Sequence, residues 1–419
     1  MDRGELLLSR SLLLTGLGTV GAYGCGVESL RRALAAAAPG EELVEVDTAA
    51  GFHRAGGARR AFLASRLGPG ALREWLAPGE ARRMSPPSKL AVAAARMALR
   101  AAGREDARCG DVAAGVTVAT AFGPSSYSEA LLRQILFEGP EATSPFYFTE
   151  SVANAPAAQI AILCRAQGPS VTLCQREAGA LLAVGHAAGE VAAGRMPLAL
   201  AGTVEEMSPL LHAVLDRYGA LARPGVDGGE VARPFDRRRN GFLAAEGATL
   251  AVLEPEEPVR ARGAVPLARV LAWGNAFDPT APRTGWGSGA GRLARSLRRS
   301  LDRAGVAVEA IDRIVSGASG ARGGDRLEAE LLRAVWGDRA LPPVVAPKAI
   351  VGEYGGGFLG AAVLAAGGAP CGRPPGCEEP DPALGIVLSG GAPLPPPACT
   401  LVTSLAAGGA AAWLVLGAP

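Results

Sequence analysis

The sequence predicts an α/β protein, on three observations. Apolar runs with strand character alternate with Ala- and Leu-rich helical patterns through both halves of the 419 residues. Hydrophobic residues make up 49% and charged residues 20%, enough for a sizeable core and too apolar for a disordered chain. No apolar run reaches the roughly 18–20 residues that a membrane-spanning helix requires.

Each element has its own local reason. Residues 11–20 (SLLLTGLGTV) are a short apolar strand with a Gly turn, and residues 85–102 are a helix. Ser85 stands at the cap of that helix, prolines fill its first turn and alanines its body. Residues 114–120 (AGVTVAT) form a buried strand, 155–164 a helix, and Val171-Thr172-Leu173 a second buried strand. That strand runs through Cys174-Gln175-Arg176-Glu177 into an Ala/Leu helix over 178–194. Strands follow at 198–202 and 249–253. The charged, Pro-bearing segment 255–262 marks the boundary between an N-terminal half, 1–254, and a C-terminal half, 255–419. In the second half the alternation repeats: strand 267–273, helix 293–304 with arginines outward, strand 314–317 and helix 326–335. A small-residue helix at 361–366, an irregular Pro/Gly/Cys excursion at 369–397, and strands at 401–404 and 412–416 around Gly408-Gly409 complete it. No short repeat is visible.

Composition narrows the function classes. The 42 basic and 40 acidic residues leave a net charge of +2, which excludes a nucleic-acid footprint over the whole chain. The opening MDRGELLLSRSLLLTGLG lacks the order of a signal peptide, so the expectation is a soluble, cytoplasmic chain with no membrane partner. The seven cysteines (Cys25, Cys109, Cys164, Cys174, Cys371, Cys377 and Cys399) include no C-x-x-C pair, which argues against a zinc site or a disulfide scaffold. His53, His186 and His212 lie far apart in sequence, so no metal is expected. Gly123-Pro124-Ser125-Ser126 lacks phosphate-loop spacing, and no cofactor is expected. Lysine occurs only at Lys89 and Lys348 among many arginines, the drift of a GC-rich genome.

Several motifs resemble the β-ketoacyl-acyl carrier protein synthases. They are LLTGLGTVGAYGCGVESLRRAL (13–34), RRMSPPSKLAVAAARMAL (82–99), SPFYFTESVANAPAAQIAI (144–162) and ARPFDRRRNGFLAAEGATLAVLE (232–254). PTAP (279–282), GDRLEAELLRAVWG (324–337) and PKAIVGEYGGGFLGAA (347–362) follow in the family's order and spacing. The resemblance covers nearly the whole chain and implies a thiolase-like fold, five αβαβα layers built from two related halves, usually dimeric.

The same resemblance places the family's reactive positions on residues of different chemistry. The nucleophilic cysteine position falls on Glu177, where a helix dipole would accommodate a carboxylate but where attack on a thioester would be poor. The first histidine position falls on Gly317, which has no side chain, and the second on Glu353, an acceptor at neutral pH where an enolate needs donors. Lys348, Asp325 and Glu328 match the family; the reading for Lys348 is structural, an ammonium paired with a carboxylate behind the site. Ala407 stands where the family has a gating phenylalanine. Cys174 reads as a small buried core residue rather than a substitute nucleophile.

Phe122, Phe146, Tyr147 and Phe148 fall on segments that line the dimer interface and acyl tunnel in the family. Most read as core, with Phe122, Phe146, Phe148 and Ala407 the positions able to set tunnel depth. Arg237-Arg238-Arg239 reads either as a solvated loop or as a dock for an acidic carrier protein. An intact scaffold without its reactive groups implies a non-catalytic chain-length-factor-type subunit in polyketide, aryl-polyene or fatty-acid-like biosynthesis. Its partners would be an active ketosynthase, in a heterodimer, and an acyl carrier protein. Two other readings stand beside it. One is a carrier-dependent acyltransferase, hydrolase or dehydratase using Glu177 and Glu353. The other is a scaffold that holds acyl-carrier chains without any partner.

Overall fold

The computed structural model describes all residues except 1–10, 39–43, 46–51, 55, 64–66, 69, 105–113, 226–228 and 390–393. Cys109 and the first part of the N-terminal segment read above therefore lie outside the described residues.

The first half runs β1 (Leu12–Gly21), β2 (Gly24–Cys25), α1 (Val27–Ala36), β3 (Val44–Glu45), β4 (Arg60–Phe62), α2 (Pro78–Ala81), α3 (Pro86–Ala101) and β5 (Gly115–Thr120). It continues with α4 (Ser125–Phe137), α5 (Pro145–Ser151), α6 (Ala155–Leu163), β6 (Ser170–Cys174), α7 (Gly179–Ala192), β7 (Ala199–Glu205), α8 (Pro209–Arg217), β8 (Ala244–Ala245) and β9 (Gly247–Pro255). The charged, Pro-bearing connection after it holds a short helix, α9 (Glu256–Ala261). The second half holds β10 (Ala268–Phe277), α10 (Ala290–Arg303), β11 (Arg313–Ser316), α11 (Arg322–Trp336), β12 (Val344–Val345), α12 (Lys348–Val351), α13 (Leu359–Ala366), β13 (Cys399–Leu405) and β14 (Ala410–Gly417).

The two halves share one topology. Spatial order is β6-β5-β7-β9-β1 in the first and β12-β11-β13-β14-β10 in the second, the same permutation of chain order. In each, the fifth strand (β9 or β14) runs antiparallel to both neighbours, while the second pairs in parallel with the third and fourth. The halves join through a short antiparallel stretch in which Leu12, Leu13 and Leu14 of β1 face Val270, Arg269 and Ala268 of β10. Helices α7 and α13 pack against strands of both halves and form the middle layer. The outer layers are α3 with α6 on one side and α10 with α11 on the other. This is the thiolase-like, five-layer αβαβα fold.

Local chemistry explains the tight outer layer. A Cβ at Gly16 or Gly18 would stand 2.0 or 1.9 Å from the carbonyl oxygens of Ala98 and Ala94, so only glycine lets α3 lie this close over β1. Ser85 does hold the cap position of α3, but its hydroxyl faces Ser88 Oγ at 2.9 Å instead of capping a backbone N–H.

One strand differs from its expectation. β6 is the outermost strand of its half and partly exposed, because only β5 pairs with it. Cys174 at its end is accordingly exposed rather than a core residue.

Candidate functional site

β6 delivers the chain to a sharp turn, and α7 starts just beyond Glu177. The turn is crowded: Ala180 N–H donates to Gly355 O at 3.1 Å, and a Cβ at Gly179 would meet Ala119 Cβ at 2.9 Å. Glu177 is buried, and its carboxylate Oε2 accepts the Ala407 N–H at 3.2 Å. Its carbonyl accepts Ser404 Oγ at 2.6 Å. The N-terminal dipole of α7 does not dominate here. Burial, and after it the charge of Glu353, pushes the Glu177 carboxyl up to about 7.

Gly317 follows β11, and the space beside it is filled. A Cβ there would stand 2.7 Å from Thr403 O and 2.8 Å from Ser404 Oγ, so any side chain would require β13 to shift. Glu353 forms an ion pair with Lys348, both fully or nearly fully buried, and its Oε1 accepts Gly356 N–H at 2.8 Å. Lys348 Nζ also lies 3.5 Å from Ser404 Oγ and 4.9 Å from the centre of the Phe358 ring. The carboxylate that pairs with Lys348 is therefore Glu353 itself, a residue of the cleft wall, not one behind the site.

Asp325 and Glu328 sit one helical turn apart on α11. Asp325 accepts Phe235 N–H at 2.9 Å and the Ser319 and Gly320 N–H groups at 3.3 and 3.2 Å, tying the Arg-Pro-Phe-Asp loop to the end of β11. Burial pushes its carboxyl up to about 7. Glu328 Oε1 accepts Ser316 Oγ at 2.7 Å and Thr403 Oγ1 at 2.5 Å.

Glu177, Glu353 and Ala407 line one cleft of about 830 Å3, together with Phe122, Arg176, Trp286 and a third carboxylate, Glu205. Glu205 escaped the sequence reading, although two adjacent acids closing an apolar strand were a signal. Burial pushes its carboxyl up to about 8. Phe146 and Phe148 do not line this cleft. Phe146 packs edge-on against Tyr127 with ring centres 5.6 Å apart, and Phe148 is 63% exposed. These aromatics are not core: α4 and α5 pack mainly against each other. α4 buries no residue, and Leu132, Ile135, Leu136 and Phe137 along it are exposed.

The arginine run is neutralised within the chain. Arg237 pairs with Glu379, Arg238 with Asp236, Glu378 and Glu379, and Arg239 with Asp381. It pins the irregular excursion instead of presenting free charge to a carrier. Folding brings His53 and His212 together, Nε2 to Nδ1 at 3.2 Å. Among the described residues, though, no group of three or more His, Cys, Asp or Glu side chains is placed to hold a metal ion. Nor is any helix among them long and apolar enough to cross a membrane.

A pH dependence follows from Glu177. Its folded value near 7 exceeds the ordinary 4.5, so the folded state keeps a proton that the unfolded chain has lost. This contribution is full below the ordinary value and disappears as pH rises through 7, a loss of about 3 kcal/mol for a shift of this size. Glu177→Gln should therefore raise the melting temperature by a few degrees at pH 8.5 and change it little at pH 4. Equal effects at both values would show that the carboxyl titrates normally.

Comparison with known proteins agrees with this geometry. Residues 11–258 match the family model for the β-ketoacyl synthase N-terminal domain, and residues 267–366 match that for its C-terminal domain. The tetracenomycin polyketide synthase ketoacyl synthase beta subunit of Streptomyces glaucescens is 30% identical over 383 residues, 90% of each chain. The 3-oxoacyl-[acyl-carrier-protein] synthase 2 of Rhizobium meliloti is 32% identical over 324 residues, 73% of each. Among solved structures, the ishigamide ketosynthase/chain length factor superposes with a TM-score of 0.86 at 31% identity, covering 98% of this chain and 99% of that one. A type II polyketide synthase ketosynthase in complex with its acyl-carrier protein shares the fold, at TM-score 0.83 and 22% identity, covering 98% and 99% of the two chains.

Proposed function

We propose, from the premise that this chain belongs to the β-ketoacyl synthase family, that it is a non-catalytic, chain-length-factor-like subunit of an acyl- or polyketide-chain synthase. The observation that carries the reading is the chemistry of the cleft: among the described residues, no thiol or imidazole lines it. Carboxylates stand at two of the three reactive positions, and the third is sterically closed. Condensation needs a thiolate to take the acyl group and donors for the enolate. Glu177 instead occupies the Ala407 amide with its own carboxylate, and Glu353 is committed to Lys348. The 30%-identical beta subunit and the ketosynthase/chain length factor neighbour support a role of this kind.

The work left to such a subunit is pairing and shape. On this reading an active ketosynthase covers the exposed face of α4, α5 and β6, and an acyl carrier protein serves the pair. Phe122 lines the cleft and is 43% exposed in the single chain, so its ring stands where a chain arriving from the partner would end. The test is co-expression with a type II ketosynthase, then size-exclusion chromatography and turnover with malonyl-carrier protein. A stable 1:1 complex should form, and Phe122→Ala should lengthen its products. Condensation by this chain alone would overturn the reading.

One observation favours a second reading: the Glu177 carboxyl titrates near 7 on a cleft wall, where a general base would operate. It would then act on a carrier-bound acyl chain by hydrolysis or dehydration. Glu177→Gln would abolish turnover on this reading and leave product formation by the complex unchanged on the first.

A further inference from the structure

Phe122 sits in a segment with little backbone support. Residues 121–124 belong to neither strand nor helix, and Gly123 takes φ +63°. Such a turn needs acceptors from elsewhere to hold one shape. Two consecutive glutamates at the end of β7 supply them. Glu205 Oε1 accepts Thr120 Oγ1 at 2.8 Å and the Ala121 N–H, and Glu205 Oε2 accepts the Phe122 N–H at 3.4 Å. Thr120 Oγ1 in turn accepts Gly123 N–H at 3.0 Å. Glu206 takes the other end: Ser126 N–H at 2.6 Å, Ser126 Oγ at 2.7 Å and Ser125 Oγ at 3.0 Å. Pro124, at the cap of α4, offers no side-chain cap, so Glu206 supplies the anion that the helix start favours.

Both glutamates are buried and rooted in the central part of the half-sheet, where β7 lies between β5 and β9. The segment they grip joins the cleft wall to the first turn of the exposed apolar helix. We propose that Glu205 and Glu206 are positioning residues that fix where the Phe122 ring stands, and so set the depth open to an acyl chain. The proposal rests on the reading that Phe122 bounds that chain. Tunnel depth then belongs to a clamp anchored in a rigid strand, and not to ring size alone.

The experiment reads position and depth separately. 4-Trifluoromethylphenylalanine is placed at residue 122, and fluorine NMR is recorded on the chain in complex with a type II ketosynthase. Product length is measured on the same complexes with the natural phenylalanine. Glu205→Ala should move and broaden the fluorine resonance, and should shift products longer by at least one extender unit. Phe122→Ala should give the same lengthening, and the double variant should add nothing to it. Glu205→Gln, which keeps a carbonyl acceptor in place, should fall close to the parent on both readouts. If Glu205→Ala does not fold, Thr120→Val carries the test, with a smaller shift in the same direction. A resonance and product distribution unmoved in Glu205→Ala, beside a lengthening in Phe122→Ala, would overturn the positioning role. No lengthening in Phe122→Ala would instead remove the reading beneath it, whatever the fluorine signal does.

Discussion

Leu136→Asp combined with Phe137→Asp should leave the chain folded and weaken its complex with a ketosynthase by at least about a hundredfold, as expected when charge enters the centre of an apolar interface. Leu136 and Phe137 are 74% and 77% exposed, so neither contributes to the core, and the variant should melt like the parent. Leu132 and Leu136 share one face at helical spacing, Ile135 and Phe137 flank it, and among the described residues β6 has no strand on its outer side. A contiguous exposed apolar surface of this kind marks a surface that another molecule covers. Val265→Asp is the control, since Val265 is as exposed and lies in the connection after α9. Dissociation measured by analytical ultracentrifugation decides the matter. Equal effects of the two changes, or none from either, would show that the partner binds elsewhere.

Lys348→Met should cost about 3–5 kcal/mol of folding stability, because it leaves the Glu353 carboxylate buried without its counter-charge. Adding Glu353→Leu should recover most of that loss, since a buried pair replaced by apolar groups of similar size is often neutral. Denaturant unfolding of the two variants measures both numbers. A single variant as stable as the parent would mean that water reaches Glu353 and screens it. The pair also bears on chemistry: it neutralises a carboxylate that would otherwise stand on the cleft wall with its full charge.

Much of this was legible before any coordinates. The run of apolar residues in β1, the alanine body of α3 and the small residues of α13 specify their own elements, because periodicity and capping are local properties. That Glu177 and Glu353 belong to one site was legible as an expectation from the order of the flanking motifs, and both line the same cleft. Other features were not. Cys174 was read as core on its residue type, yet its exposure depends on β6 being the last strand of its half. The arginine run looked free until residues 378–381 folded back upon it.

The sequence by itself determined the elements and the family to which they belong, both of which are written in residue identity and spacing. Tertiary structure alone decided that Lys348 neutralises Glu353, that Ser404 and Thr403 close the space at Gly317, and that two glutamates hold the turn bearing Phe122. It also decided which apolar side chains remain uncovered. The physical reason is range. Hydrogen bonding within a helix or a turn is set by neighbours in the chain, whereas burial and charge pairing are set by which distant strands lie side by side.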